Sequence, residues 1–247
     1  VEHGGNKSGI PTPWGFISFD NRYMGKPLVF VGTVGLMKKE INGRPMHEKQ
    51  ARPGDFIIMA GGRVGKDGIH GATFSSESLH EGSPATAVQI GDPITQKKMA
   101  DAQQEACELG LYSSVTDNGA GGLSSSIGEM AREAGGCMVY LDRVPVKYSG
   151  ILPYEIWISE SQERMNYAVP PENAGRFLAL MASRGVEASI IGEFTSSGRC
   201  QVKFNGEYLI DLDLEFMHDG LPERKLQSIW TAPSLSEPEL PPIEDYT

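Results

Sequence analysis

The chain has 247 residues, 39% hydrophobic and 22% charged, which fits one large domain, or one domain with part of another, of the soluble globular class. Its net charge of −10 argues against a nucleic-acid partner, since phosphate neutralisation needs clustered Lys and Arg, and no apolar run approaches the ~20 residues that span a bilayer. Three scattered cysteines, Cys107, Cys137 and Cys200, include no Cys-x-x-Cys pair; the odd count argues against a disulfide framework and points to a reducing, cytoplasmic setting.

The chain opens on Val1 rather than methionine, so it is expected to be processed or cut from a longer polypeptide, and its start carries no signal-peptide core. Residues 28–37 (LVFVGTVGLM) and 55–60 (DFIIMA) are predicted strands. The first is almost continuously apolar and is expected to be buried on both faces. Asn42-Gly43 and Arg52-Pro53-Gly54 mark turns. A helix is predicted from Asp92, which caps ahead of Pro93, with Met99, Ala102, Ala106 and Leu109 at helical spacing and Gly110 closing it. A strand over 112–116 leads into a second helix, with Leu123, Ile127, Met130, Ala131 and Ala134 on one face. Strands follow at 137–142, 154–159 and 164–169, the last alternating Met165, Tyr167 and Val169. A third helix over 171–184 turns Ala174, Phe177, Leu178 and Met181 inward. Strands near 186–194 and 199–204 come next, and Asn205-Gly206 joins the latter to 207–212 as a hairpin. Four acids and no bases lie between Glu237 and Asp245, among prolines, as in a solvated linker. The interleaving, with adjacent strands and a hairpin, predicts an α+β fold: a mixed or antiparallel sheet with packed helices.

Thirty glycines are about twice the usual share of roughly 7%, and they gather in a few loops. GGRVGKDGIHGATFSS, 61–76, places five glycines with Arg63, Lys66 and His70 directly after a predicted strand. Consecutive amides and basic side chains there suit an anion, while a flexible surface loop with His70 bonded to backbone is the plainer alternative. It is not a Walker loop, because no Gly-Lys-Ser/Thr follows at the required spacing. TDNGAGGLSSSIGEMA, 116–131, ends a strand at Asp117 and starts a helix. A carboxylate there can hold Mg²⁺ against a phosphorylated ligand, because that ion takes few protein oxygens; Asp117 can equally be a simple turn residue. EIWISESQERM, 155–165, clusters Glu160, Ser161 and Gln162, suited to reading a polar substrate or to lining an ordinary hydrophilic turn. Gln89, in AVQIGDP, has the same two readings.

At these loops the chain closely resembles the synthetase subunit of the phosphoribosylformylglycinamidine synthase family. The matching strings are KSGIPTPWGFISFDNRYMGKPLVFVGTVGLM, GRVGKDGIHGATFSSE, AVQIGDP, DNGAGGLSSSIGEMA and LPYEIWISESQERM, in that order over about residues 7–170. The resemblance implies a purine-biosynthesis ligase that converts formylglycinamide ribonucleotide, ATP and glutamine-derived ammonia to formylglycinamidine ribonucleotide, ADP and phosphate. It implies that Gln89, Glu160, Ser161 and Gln162 contact the ribonucleotide and that Asp117 binds Mg²⁺. It places the family's catalytic histidines and most of its nucleotide and metal ligands upstream, so no catalytic residue is assigned in this chain, and the isolated chain is expected to be inactive. Residues 1–50 would be the end of an N-terminal domain of the aminoimidazole ribonucleotide synthetase type, 51–217 a C-terminal domain of that type, and 218–247 a linker toward a second half. Implied partners are a glutaminase subunit and a small accessory subunit; a homodimer is left open. Selenophosphate synthetase and thiamine-phosphate kinase share the domain type but generally lack DGIHGATF together with SESQERM. A non-catalytic binding or assembly module is the alternative of a different class.

Overall fold

The computed structural model describes residues 5–77, 81–82, 87–232 and 234; the acidic stretch 237–245 lies outside them. Asn42 and Gly43, both at positive φ, turn β1 (Glu40–Ile41) into β2 (Arg44–Pro45). There follow β3 (Phe56–Gly61), a short α1 (Gly71–Ser75) and the long α2 (Pro93–Glu108). The start of α2 is set by Asp92, whose carboxylate accepts from Ile94 N at 3.2 Å and Thr95 Oγ1 at 2.6 Å, satisfying a donor that the first helical turn leaves free. Then come β4 (Ser114–Asp117), α3 (Gly122–Ala134), β5 (Cys137–Tyr140) and α4 (Pro153–Ile158). The chain continues through β6 (Arg164–Val169), α5 (Pro171–Ser183), β7 (Ala188–Phe194), β8 (Arg199–Phe204), β9 (Glu207–Asp213) and α6 (Leu214–Asp219). Among the described residues no helix is long and apolar enough to cross a membrane.

Seven strands form one sheet in the order β4-β6-β3-β7-β5-β8-β9, antiparallel throughout except where β5 runs parallel to β8. The expected α+β fold with a mixed sheet and packed helices is what forms. Strand β3 shows why its sequence is continuously apolar: Ile57 and Met59 enter one core, Ile58 and Ala60 the other, and all four are buried. On one face α2 and α5 contribute Met99, Ala102, Phe177 and Met181. On the opposite face α3 and α4 contribute Leu123, Ile127, Met130 and Trp157. Each such large side chain stabilises the fold by roughly 1.5–3 kcal/mol on full burial. The three cysteines are free thiols, and Cys137 and Cys200, distant in sequence, are register partners across β5 and β8.

Two predicted strands are corrected. Residues 28–37 form no strand, and Val34 and Leu36 are fully exposed. A strand needs a neighbour for its backbone groups, and the seven-stranded sheet, which ends at β4 and β9, takes up no strand from this run. Residues 154–159 are instead mostly helix α4. Pro153 occupies the first helical position, and the Glu155 carboxylate reaches back to accept from Leu152 N at 2.7 Å, so the terminus outweighs the β-forming Ile156, Trp157 and Ile158. Leu109, expected inward, is half exposed at the end of α2. Helices α1 and α6 were not expected.

Candidate functional site

The turn between α4 and β6 carries Ser159, Glu160, Ser161, Gln162 and Glu163, and three loops close on it. Glu160 is buried, yet its carboxylate is satisfied by protein donors from three separate stretches. Oε1 accepts from Gly121 N at 3.1 Å, and Oε2 accepts from Ala72 N at 2.9 Å and from Gln89 Nε2 at 3.0 Å. Ala72 lies in the first turn of α1, and Gly121 immediately precedes α3. Amides at a helix start have no intrahelical acceptor and attract negative charge. One carboxylate thus gathers the 61–76 loop, the AVQIGDP segment and the DNGAGG loop.

The glycines of these loops have a close-approach role as well. Gly122, at φ +59°, would place a Cβ 2.1 Å from Ser159 O, and Gly68, at φ +78°, would place one 2.9 Å from the Glu160 carbonyl. Only a residue without a side chain fits there. His70 stands exposed in the left-handed region at φ 59°, one residue before α1.

The other candidates are distributed around this hub. Gln162 Nε2 donates to Glu160 O at 3.2 Å, so Gln89, Glu160 and Gln162 are together. The Ser161 side chain is fully buried and turned to the 61–76 loop: Oγ accepts from Gly65 N and donates to Asp67 Oδ1, each at 2.9 Å. Asp67 is also gripped by Lys147 Nζ at 2.9 Å to each oxygen. Burial pushes the Asp67 carboxyl up, but the hydrogen bonds from Lys147 and Ser161 and the Lys147 charge outweigh it, and the group ends below the usual carboxylate range. Glu163, at φ 56°, is pushed upward, chiefly by burial. A cleft of ≈ 340 Å³ opens beside Gln162, lined among others by Gly61, Arg63, Thr95, Lys147 and Glu163.

Asp117 ends β4, exposed, with Oδ1 accepting from Gly119 N at 2.9 Å. Behind it, buried Asn118 Oδ1 accepts from Ser126 Oγ at 2.6 Å and Asn166 Nδ2 at 2.8 Å, anchoring the loop to α3 and β6. Among the described residues no group of three or more His, Cys, Asp and Glu forms a metal cage. The exposed single carboxylate fits an ion held mainly by ligand phosphates and water. Sequence reading passed over Asp67, Asn118, Asn166 and Arg164. All but Asn166 lie inside the motif strings, yet no spacing rule distinguishes a buried anchor from its exposed neighbour.

Residues 52–205 match the family model described as "AIR synthase related protein, C-terminal domain". A relative named phosphoribosylformylglycinamidine synthase subunit PurL, from Methanopyrus kandleri, is 39% identical over 241 residues, 95% of this chain but 32% of the relative. The solved structure titled "T. maritima PurL complexed with FGAR" aligns with a TM-score of 0.69 at 33% identity, covering 76% of this chain and 31% of that one. "T. maritima PurL complexed with ATP" aligns at 0.64 and 29%, covering 77% and 30%. The chain therefore spans about a third of the length of the relatives it matches. With the family model covering more than half of its residues, this chain belongs to the AIR synthase related protein family and carries that family's C-terminal domain.

Proposed function

We propose that this chain is part of an ATP-dependent ligase that converts formylglycinamide ribonucleotide, ATP and glutamine-derived ammonia to formylglycinamidine ribonucleotide, ADP and phosphate. The observation that carries the reading is the convergence of three motif loops on Glu160, which places Gln89 and Gln162 on one polar wall. That wall offers amide donors and acceptors for a polar, phosphorylated ligand. Ser161 contributes from behind, holding Asp67 and the 61–76 loop in place. The Asp117 carboxylate would give one oxygen to a magnesium ion, which neutralises phosphate charge when bound. The similarity to proteins whose titles name FGAR and ATP supports the same ligand classes here. A glutaminase subunit, as the source of the ammonia, and a small accessory subunit are proposed as partners in the full complex. Residues 51–217 are proposed as the C-terminal-type domain, 1–50 as the end of a preceding domain, and 218–247 as a linker.

The test is calorimetric titration of the full-length protein with formylglycinamide ribonucleotide. Gln89→Leu keeps the size of the side chain but removes its polar atoms, and it should weaken binding by about tenfold or more, the loss of one or two hydrogen bonds. Unchanged affinity with an intact fold would overturn the assignment of this wall.

A further inference from the structure

Arg164 opens β6, and its side chain is buried at 3% exposure. Its guanidinium spends its donors on main-chain carbonyls. Nε donates to Ser161 O at 2.7 Å and Nη2 to Ser159 O at 2.5 Å, while Nη1 faces Met59 Sδ at 3.9 Å. Those two carbonyls flank Glu160 on either side. The Arg164 carbonyl in turn accepts from Asn118 N at 3.0 Å, so the same residue holds the DNGAGG loop by its backbone.

We propose that Arg164 is a positioning residue for the loops of the candidate site: by turning the Ser159 and Ser161 carbonyls inward onto one planar fork, it aims the Glu160 carboxylate at the amides of Ala72 and Gly121. The chemistry favours this role over space filling. An apolar side chain of similar length would fill the same volume without desolvating a charge. It would leave two buried carbonyls without donors. A guanidinium presents several N–H groups in a fixed plane and can serve both at once, whereas an ammonium is a compact point charge that does not reproduce the fork. Burial draws the Arg164 pKa down to about 10, with the Asp67 charge acting the other way, so the donors remain in place at neutral pH. Arg164 thereby acts through Glu160 and needs no contact with a ligand. The consequence for turnover rests on the reading of Gln89 and Gln162, held by the Glu160 turn, as substrate-facing; the consequence for the loops does not.

The experiment uses the full-length protein that contains this chain, with Arg164→Lys and Arg164→Gln. The neutral Gln removes the buried charge and its desolvation, so it keeps the test usable where Lys does not fold. Amide hydrogen exchange is followed in peptides covering 70–74 and 119–123, with peptides of β3 and α5 as controls. The expected result is exchange about tenfold or more faster in the two loop peptides, with the controls unchanged. KM for formylglycinamide ribonucleotide should rise about tenfold, with KM for ATP within about twofold. Loop exchange equal to the parent's, or faster exchange spread evenly over loops and controls, overturns the proposal. Faster exchange confined to the loops with KM unchanged upholds the positioning role and overturns the substrate reading of the turn.

Discussion

Asp117 and Asp67 are both aspartates in glycine-rich motifs, and their surroundings assign them opposite work. Asp117 is exposed and makes one local bond to Gly119 N, so Asp117→Asn should change stability by no more than about 0.5 kcal/mol. In the full-length protein the same change should lower kcat by about 100-fold or more if the carboxylate serves a hard cation. Urea unfolding and a steady-state assay on the same preparation check both halves, and wild-type turnover would remove Asp117 from the site. Asp67, gripped by Lys147 and Ser161, has a folded pKa below its unfolded value. The stability linked to it is therefore fully present above about pH 4 and is lost as pH falls through the lower, folded value. Asp67→Asn should be less stable than the parent near neutrality, and the gap should narrow as pH falls from about 4 toward 2. A gap independent of pH in denaturant unfolding would show that the charge is not what matters there. At Gln89, Glu160 and Asp117 the sequence offered a ligand-facing reading beside that of an ordinary turn, and only the family resemblance chose between them. Their partners were not legible: Glu160 meets residues 39, 71 and 88 positions away, and no local pattern encodes such a distance.

At the scale of elements, helices α2, α3 and α5 and strands β3, β6, β8 and β9 were readable because each carries its own signals, a cap, a period or a turn. The two failures have one cause. Apolar, β-forming runs at 28–37 and 154–159 need pairing partners to become strands, and pairing is a property of the sheet, not of the run. In the second case Pro153 and Glu155 supplied a competing helical start. The junction between α3 and the 159–164 turn makes a sharper test of packing. A Cβ at Gly122 would sit 2.1 Å from Ser159 O, on a backbone already at φ +59°. Gly122→Ala therefore combines strain with overpacking and should cost about 1–3 kcal/mol or more. Gly175, on α5, has open space where its Cβ would be and no positive φ, so Gly175→Ala should stabilise by about 0.4–1 kcal/mol. Thermal melts of the two variants moving in the same direction would contradict this account of the glycine loops.

For the molecule as a whole, the buried core lies almost entirely between Ala51 and Leu214, whereas Trp14, Phe19, Phe30 and Leu36 are exposed. The candidate site shows the same imbalance. It has a polar wall at Gln89, Glu160 and Gln162 and one exposed carboxylate at Asp117, but among the described residues no metal cage. Phosphoryl transfer depends on positioning and on neutralising charge around the transferred group, so ATP, metal and acceptor must be held together. On the proposed reading, one polar wall and one carboxylate for a metal would orient a ribonucleotide without activating it. The 247-residue chain, purified alone, should accordingly show no ATP-dependent synthesis of formylglycinamidine ribonucleotide with ammonium as nitrogen donor. A full-length relative assayed beside it supplies the reference, since this chain corresponds to 32% of such a protein. Weak binding of the ribonucleotide by the isolated chain is compatible with this expectation, because the wall is formed by residues of the chain itself. Turnover within about tenfold of the full-length protein, a barrier difference of roughly 1.4 kcal/mol, would show that the machinery for activating the amide already resides in these residues.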